Sequence, residues 1–206
     1  MSESTTRQDN QHFYNTKTNT KKMNKYNEQR EWADRFHQQV MHQLKQVFDT
    51  EFVKVSSFEQ DTQHACDYVV NNNTHISARL RTGFYRERYP NDFTIRTRTR
   101  YNGESELSKI LAGNGSYLFY GFIDDSGQCI YSYKLIDLSI FRREHEAGNQ
   151  YIHHKISNPL NNNDGTQLAA FDTTRMCSEM VIHTARLHRR KTEPTFAGWD
   201  GMFLSA

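Results

Sequence analysis

Residues 76–81, ISARLR, and residues 93–100, FTIRTRTR, alternate apolar or small side chains with basic ones at a strict two-residue spacing. Side chains two apart share a face only in an extended chain, so both segments are constrained to be β-strands. In the first, Ile76, Ala78 and Leu80 lie on one face and Ser77, Arg79 and Arg81 on the other. In the second, Phe93, Ile95 and Thr97 oppose Arg96, Arg98 and Arg100. If the two strands pair, five guanidinium groups line one surface of an Arg-rich β-ribbon, with Arg86 and Arg88 at its tip. Between His75 and Tyr101 stand seven arginines, no lysine and only two acids, Glu87 and Asp92. Like charges opposite one another on paired strands repel, and the planar donor fork of arginine suits phosphate better than an ammonium does. The pattern points to a surface built for anions, with nucleic acid as the expected partner. A solvated sheet face is the plain alternative.

The rest of the chain bounds this expectation. A length of 206 residues fits one domain with a substantial core, and a hydrophobic content of 35% predicts a compact centre with polar margins. The net charge of +2 says nothing about partners; only its local concentration does. No apolar run approaches membrane-spanning length, and the first residues lack the apolar core of a secretory signal. A cytoplasmic protein without a membrane partner is therefore expected. Cys66, Cys129 and Cys177 are an odd number without CxxC spacing, so reduced and buried thiols are expected in place of disulfides or structural zinc. The ten histidines show no HExxH or comparable ligand spacing.

Along the chain, residues 1–26 are read as a flexible polar arm, with Lys17, Lys21, Lys22 and Lys25 either solubilising it or brushing a phosphate backbone. Residues 27–175 are read as a single domain. Its first element is a helix with Asn27 as N-cap, Glu28 and Glu31 in the first turns, and an apolar face running from Trp32 through Phe36, Val40 and Leu44 to Phe48. EFVKVSSF and HACDYVV follow as strands. A helix over residues 104–111 ends at Gly113, and SYLFYGFID and CIYSYKLID form a hairpin across a turn at 124–127. QLAAFD is the last candidate strand. Residues 176–206 are read as a C-terminal extension, an amphipathic helix with a basic end at Arg186, Arg189, Arg190 and Lys191, after which Trp199 and Phe203 dock back on the core.

Asp67 stands alone among Cys66, Tyr68, Val69 and Val70. A carboxylate in such surroundings must be paired, hydrogen-bonded or metal-bound. Paired with Arg79 or Arg81 it would be structural; facing a cleft, it would be a hard oxygen ligand. Glu106 and Lys109, three apart, share a helical face, as an exposed ion pair or as groups presented to that same cleft.

A leading helix with acids near its start, a strand, a strand bearing Asp67, the strand THISARLR, a helix and an aromatic strand occupy residues 27–123. This order resembles the core of the PD-(D/E)xK nuclease superfamily. The resemblance implies an α/β fold of mixed type, with a central mixed β-sheet flanked by helices and a restriction-endonuclease-like αβββαβ core. It implies Mg²⁺ held by Asp67 and a second acid, with Glu28 or Glu31 of the first helix assisting. Ser77, Ala78 and Arg79 stand where the family carries acid, spacer and lysine. Some members move these groups to the following helix, where Glu106 and Lys109 match them. The implied catalytic set is thus Asp67, Arg79, Glu106 and Lys109, with Asp67 and Glu31 on the metal. Arg81, Arg86, Arg88, Arg96, Arg98 and Arg100 would meet the nucleic acid. The implied activity is Mg²⁺-dependent endonucleolytic hydrolysis of DNA, in a host cytoplasm if the chain is phage-encoded, with a homodimer left open. Two alternatives stand beside it: an inactive nucleic-acid-binding or regulatory protein of the same fold, and an assembly protein whose arginines meet an acidic partner.

Overall fold

The apolar stripe that runs from Trp32 forms a helix, as its spacing dictates. In the computed structural model, which describes residues 31–57, 59, 66–101 and 103–187, residues 31–34 make one helical turn and α1 (His37–Val47) continues it after a break at Arg35 and Phe36. Phe36, Val40 and Leu44 are buried, with Trp32, Met41, Val47 and Phe48 packed around the same cluster. Asn27 and Glu28 lie outside the described residues, as do the lysines of the N-terminal arm and Arg189, Arg190, Lys191, Trp199 and Phe203. Val40 is fully buried. Val40→Ala deletes two carbons at about 0.8 kcal/mol each and leaves a small void, so urea titration is expected to show a loss of about 2 kcal/mol.

The fold is mixed α and β. One sheet has six strands in the order β1 (Val53–Val55), β2 (Tyr68–Val70), β3 (Thr74–Arg81), β5 (Tyr117–Ile123), β6 (Ile130–Asp137) and β9 (Val181–Arg186). β1 pairs with β2, and β2 with β3, antiparallel, the last two being joined through Asn71 and Asn72 at positive φ. β3 and β5 are parallel, with Ile76 opposite Tyr117 and Arg81 opposite Phe122. Their crossover carries α2 (Gly83–Arg88), β4 (Asp92–Arg98) and α3 (Glu106–Leu111). After the β5–β6 hairpin come α4 (Leu138–Glu146), α5 (Gln150–Ser157) and β7 (Leu160–Asn161), then β8 (Gln167–Asp172). β4, β8 and β7 make a second, three-stranded sheet.

β5 shows why the core has two halves. Alternation sends Phe119 toward α1, where it stacks on Tyr133 at 4.6 Å, while Leu118, Tyr120 and Phe122 face the cluster built from the second sheet and α3–α5. Gly121 sits close under its neighbours: a Cβ there would stand 2.8 Å from Leu80 Cδ2 and 3.1 Å from Phe119 Cε1, and both side chains would have to shift. Gly113, at φ +97°, ends α3 as expected.

Several local expectations are corrected. The expected pairing of the arginine strands does not occur: β3 has both edges occupied by β2 and β5, and β4 pairs with β8, Ile95 opposite Ala169. Thr82 to Tyr89 is largely the short helix α2, where a loop is expected. Residues 181–186 are a strand in place of the expected helix. Their side chains alternate between half-buried and exposed, and His183 stacks on Tyr133. Residues 144–150, whose composition reads as a loop, contain the end of α4 and the start of α5, and Asn149 caps the latter by accepting from Tyr151 N and Ile152 N. Cys66 is buried, but Cys129 is exposed and Cys177 half-buried; all three are free thiols. No helix among the described residues is long and apolar enough to cross a membrane.

Candidate active site and arginine-lined cleft

Asp67 is not inside a strand; it is the bend that leads into β2. Its backbone still belongs to the ladder, donating to Ile76 O at 2.9 Å and accepting from Ser56 N at 2.9 Å. Oδ2 of its half-buried carboxylate accepts from Ala78 N at 2.6 Å. That bond fixes the carboxylate beside the middle of β3, where Ser77 and Arg79 emerge.

Glu106 reaches the same place from the crossover. Ser105 caps α3 by accepting from Ser108 N at 3.1 Å, which sets Glu106 as the first helical residue. Glu106 Oε2 accepts from Arg79 Nη2 and, at 2.8 Å, from Arg96 N. Both ends of the Arg79–Glu106 pair are shielded, with side-chain exposures of 16% and 14%. Burial pulls the Arg79 guanidinium below its usual range and Glu106 opposes the pull, so the group keeps its charge at any physiological pH. Lys109, one helical turn on, completes a cavity of about 340 Å³ whose lining includes Asp67, Ser77, Arg79, Arg96, Glu104 and Glu106.

Two further cavities extend this one into a cleft between the sheets. The next, about 690 Å³, shares Ala78, Arg79 and Arg96 with the first and adds Arg81, Tyr85 and Trp32. The third, about 460 Å³, shares Arg81, Tyr85, Asn162 and Leu168 with the second. Arg79 Nη1 and Arg81 Nη2 both donate to Thr94 Oγ1, at 3.1 and 2.8 Å, and Arg81 Nε donates to Tyr120 OH at 3.3 Å. Hence β3 and β4 are bridged by side chains where backbone pairing is expected, and their arginines line a concave seam.

The remaining predicted residues scatter. Arg86 is held by Asp125, at 3.2 and 3.3 Å, and its guanidinium lies 4.2 Å from the centre of the Tyr131 ring; it braces α2 against the β5–β6 turn. Arg88 and Arg100 are exposed and lie over Tyr89 and Tyr101. Arg98 is exposed at the end of β4. Glu31 is exposed on the turn before α1 and is not in the wall of the Asp67 cavity. Residues that the sequence reading missed are Ser77 as a cavity wall, Thr94 as the bridge, and Asn162 and Asp164 in the β7–β8 turn. The two-residue alternation places Ser77 and Thr94 on the arginine faces; the composition of residues 157–166, SNPLNNNDGT, signals a turn but not the cavity it meets.

Among the described residues no three His, Cys, Asp or Glu side chains converge to hold a metal ion. Of the three acids that line the cavity, Asp67, Glu106 and the exposed Glu104, two nevertheless suffice as a donor set for Mg²⁺, which keeps several waters and takes one or two carboxylates together with substrate phosphate. No protein-family model, no curated protein and no solved structure matches the chain.

Proposed function

We propose that the protein binds a nucleic-acid strand, DNA in the first instance, in the arginine-lined cleft and hydrolyses its phosphodiester bonds with Mg²⁺ at Asp67 and Glu106. The carrying observation is that Asp67, Arg79, Glu106 and Lys109, drawn from the bend before β2, from β3 and from α3, share the wall of one cavity that opens into the cleft. The order α1, β1, β2, β3, α3, β5, with α2 and β4 inserted before α3, supports assignment to the restriction-endonuclease-like core.

In this site Arg81 and Arg96 would hold backbone phosphates, and Arg79 would keep Glu106 turned toward Asp67. Lys109 Nζ would donate a hydrogen bond to a non-bridging oxygen of the scissile phosphate, offsetting charge that grows as the bond breaks. A bound Mg²⁺ supplies Lewis-acid stabilisation of the same charge. One observation favours a second function, binding without cleavage: Oε2 of Glu106 already serves Arg79 and Arg96 N, so an internal cation stands beside one of the two carboxylates.

Labelled duplex and single-stranded oligonucleotides, incubated with Mg²⁺ or with EDTA, separate these functions. Cleavage in Mg²⁺ alone supports hydrolysis, and binding without cleavage in either supports the second function. No binding at low salt removes both. With two or three phosphates neutralised, log K should fall against log salt with a slope of about −2, at roughly 0.7–0.9 per phosphate. Arg96→Ala combined with Arg98→Ala is expected to flatten that slope by about 1.

A further inference from the structure

The third cavity has a different chemistry from the other two. Its floor is Tyr120 and Phe122 of β5, both buried, their rings edge to face with centres 5.6 Å apart. Tyr85 and Tyr89 of the α2 segment, each 41% exposed, line it, as do Lys155 and Asn162. Phe84, next to Tyr85, is 63% exposed. Arg81, shared with the neighbouring cavity, has its guanidinium 5.3 Å from the centre of the Tyr85 ring. Exposed aromatic rings interleaved with arginines are the composition of surfaces on which unpaired bases stack.

Asp92 adds an acceptor. Asp92 lines the cavity, and among the described residues none donates a hydrogen bond to its carboxylate, while burial and the nearby Asp172 raise its pKa. Two groups balance it: Lys155 and Lys134, the latter's Nζ donating to Pro90 O at 2.9 Å. A partly buried carboxylate between flat rings is suited to the amino group of a base read on its pairing edge. The volume of about 460 Å³ is in the range of small-ligand pockets and has room for a nucleoside.

We infer that this cavity receives the base of an unpaired nucleotide of the strand bound along the cleft, making single-stranded or locally unpaired nucleic acid the substrate class. The inference rests on the proposed function and names its substrate. A fully paired duplex keeps its bases stacked inside and presents only phosphates to Arg81 and Arg96. An unpaired strand adds base stacking on Tyr85 and Tyr89.

Fluorescence anisotropy, in EDTA, of a labelled 12-nucleotide single strand and of its fully paired duplex tests this. The single strand is expected to bind at least tenfold more tightly than the duplex. Tyr85→Ala with Tyr89→Ala should remove roughly tenfold or more of that affinity and lower duplex binding by much less. Both rings are surface groups, and Tyr85→Phe with Tyr89→Phe should restore stacking, which separates lost stacking from misfolding. Equal affinity for both forms, unaltered by the tyrosine changes, overturns the inference and leaves phosphodiester hydrolysis standing. No binding of either form overturns both. A free mononucleotide that binds as tightly as the 12-mer overturns the assignment of the pocket to a bound strand.

Discussion

Asp67→Asn is expected to lower Mg²⁺-dependent cleavage by about 10³-fold while leaving nucleic-acid binding in EDTA equal or slightly tighter. The magnitude follows from the several kcal/mol of charge stabilisation that a positioned metal supplies, each 1.36 kcal/mol being tenfold in rate. Asparagine keeps an oxygen able to accept from Ala78 N, so the bend before β2 is preserved and lost activity cannot be assigned to lost structure. The direction of the binding change is itself informative. Removing a negative charge beside a phosphate site can only help an anion approach, so a variant that binds well and cuts poorly separates ground-state affinity from transition-state stabilisation. Single-turnover cleavage beside anisotropy reads both quantities. Unchanged cleavage would remove Asp67 from the chemistry and with it the metal at this place.

The second large effect concerns Arg79 and Glu106. Arg79→Met would leave the Glu106 carboxylate, 14% exposed, with only the Arg96 N–H as an observed donor. Breaking a shielded ion pair from one side typically destabilises by about 3–5 kcal/mol, because the remaining charge stays buried without its partner. For a chain of this size that is a fall in Tm of about 6–20 °C. The double variant Arg79→Met, Glu106→Gln is expected to regain most of it, since removing both charges removes the desolvation penalty too. Differential scanning calorimetry of the four proteins closes the cycle. Millimolar Mg²⁺ should raise the Tm of Arg79→Met more than that of the parent, as a divalent cation restores the charge lost opposite Glu106. If Mg²⁺ raises neither, Glu106 is a structural acid and the second function, binding without cleavage, gains.

Both predictions concern residues that the sequence singles out, yet their partners are not those it suggests. Asp67 is legible because a lone carboxylate in an apolar run needs a partner, and one group that fills this need is the N–H of Ala78, eleven residues on, which the sequence does not name. Arg79 is legible through alternation, but its carboxylate is Glu106, which became its neighbour only when the crossover placed α3 beside β3. Arg86 shows the limit from the other side. It belongs to the same arginine-rich stretch and is occupied by Asp125 and Tyr131. Composition counts it with the others; geometry removes it.

What the sequence determined by itself is local and periodic. The spacing of Phe36, Val40 and Leu44 fixes a helix and its buried face, and the two-residue alternation in 76–81 and 93–98 fixes strands and the face each arginine shares. What only the tertiary structure decided is which edges meet. A strand's backbone donors and acceptors are nearly the same at every residue, so its alternation names its faces and not its neighbour. β3 took β2 and β5, which left β4 to β8. The arginines expected along one flat ribbon therefore face each other across a cleft. Thr94 lies between two of them, and Asp67, Glu106 and Lys109 stand at one end.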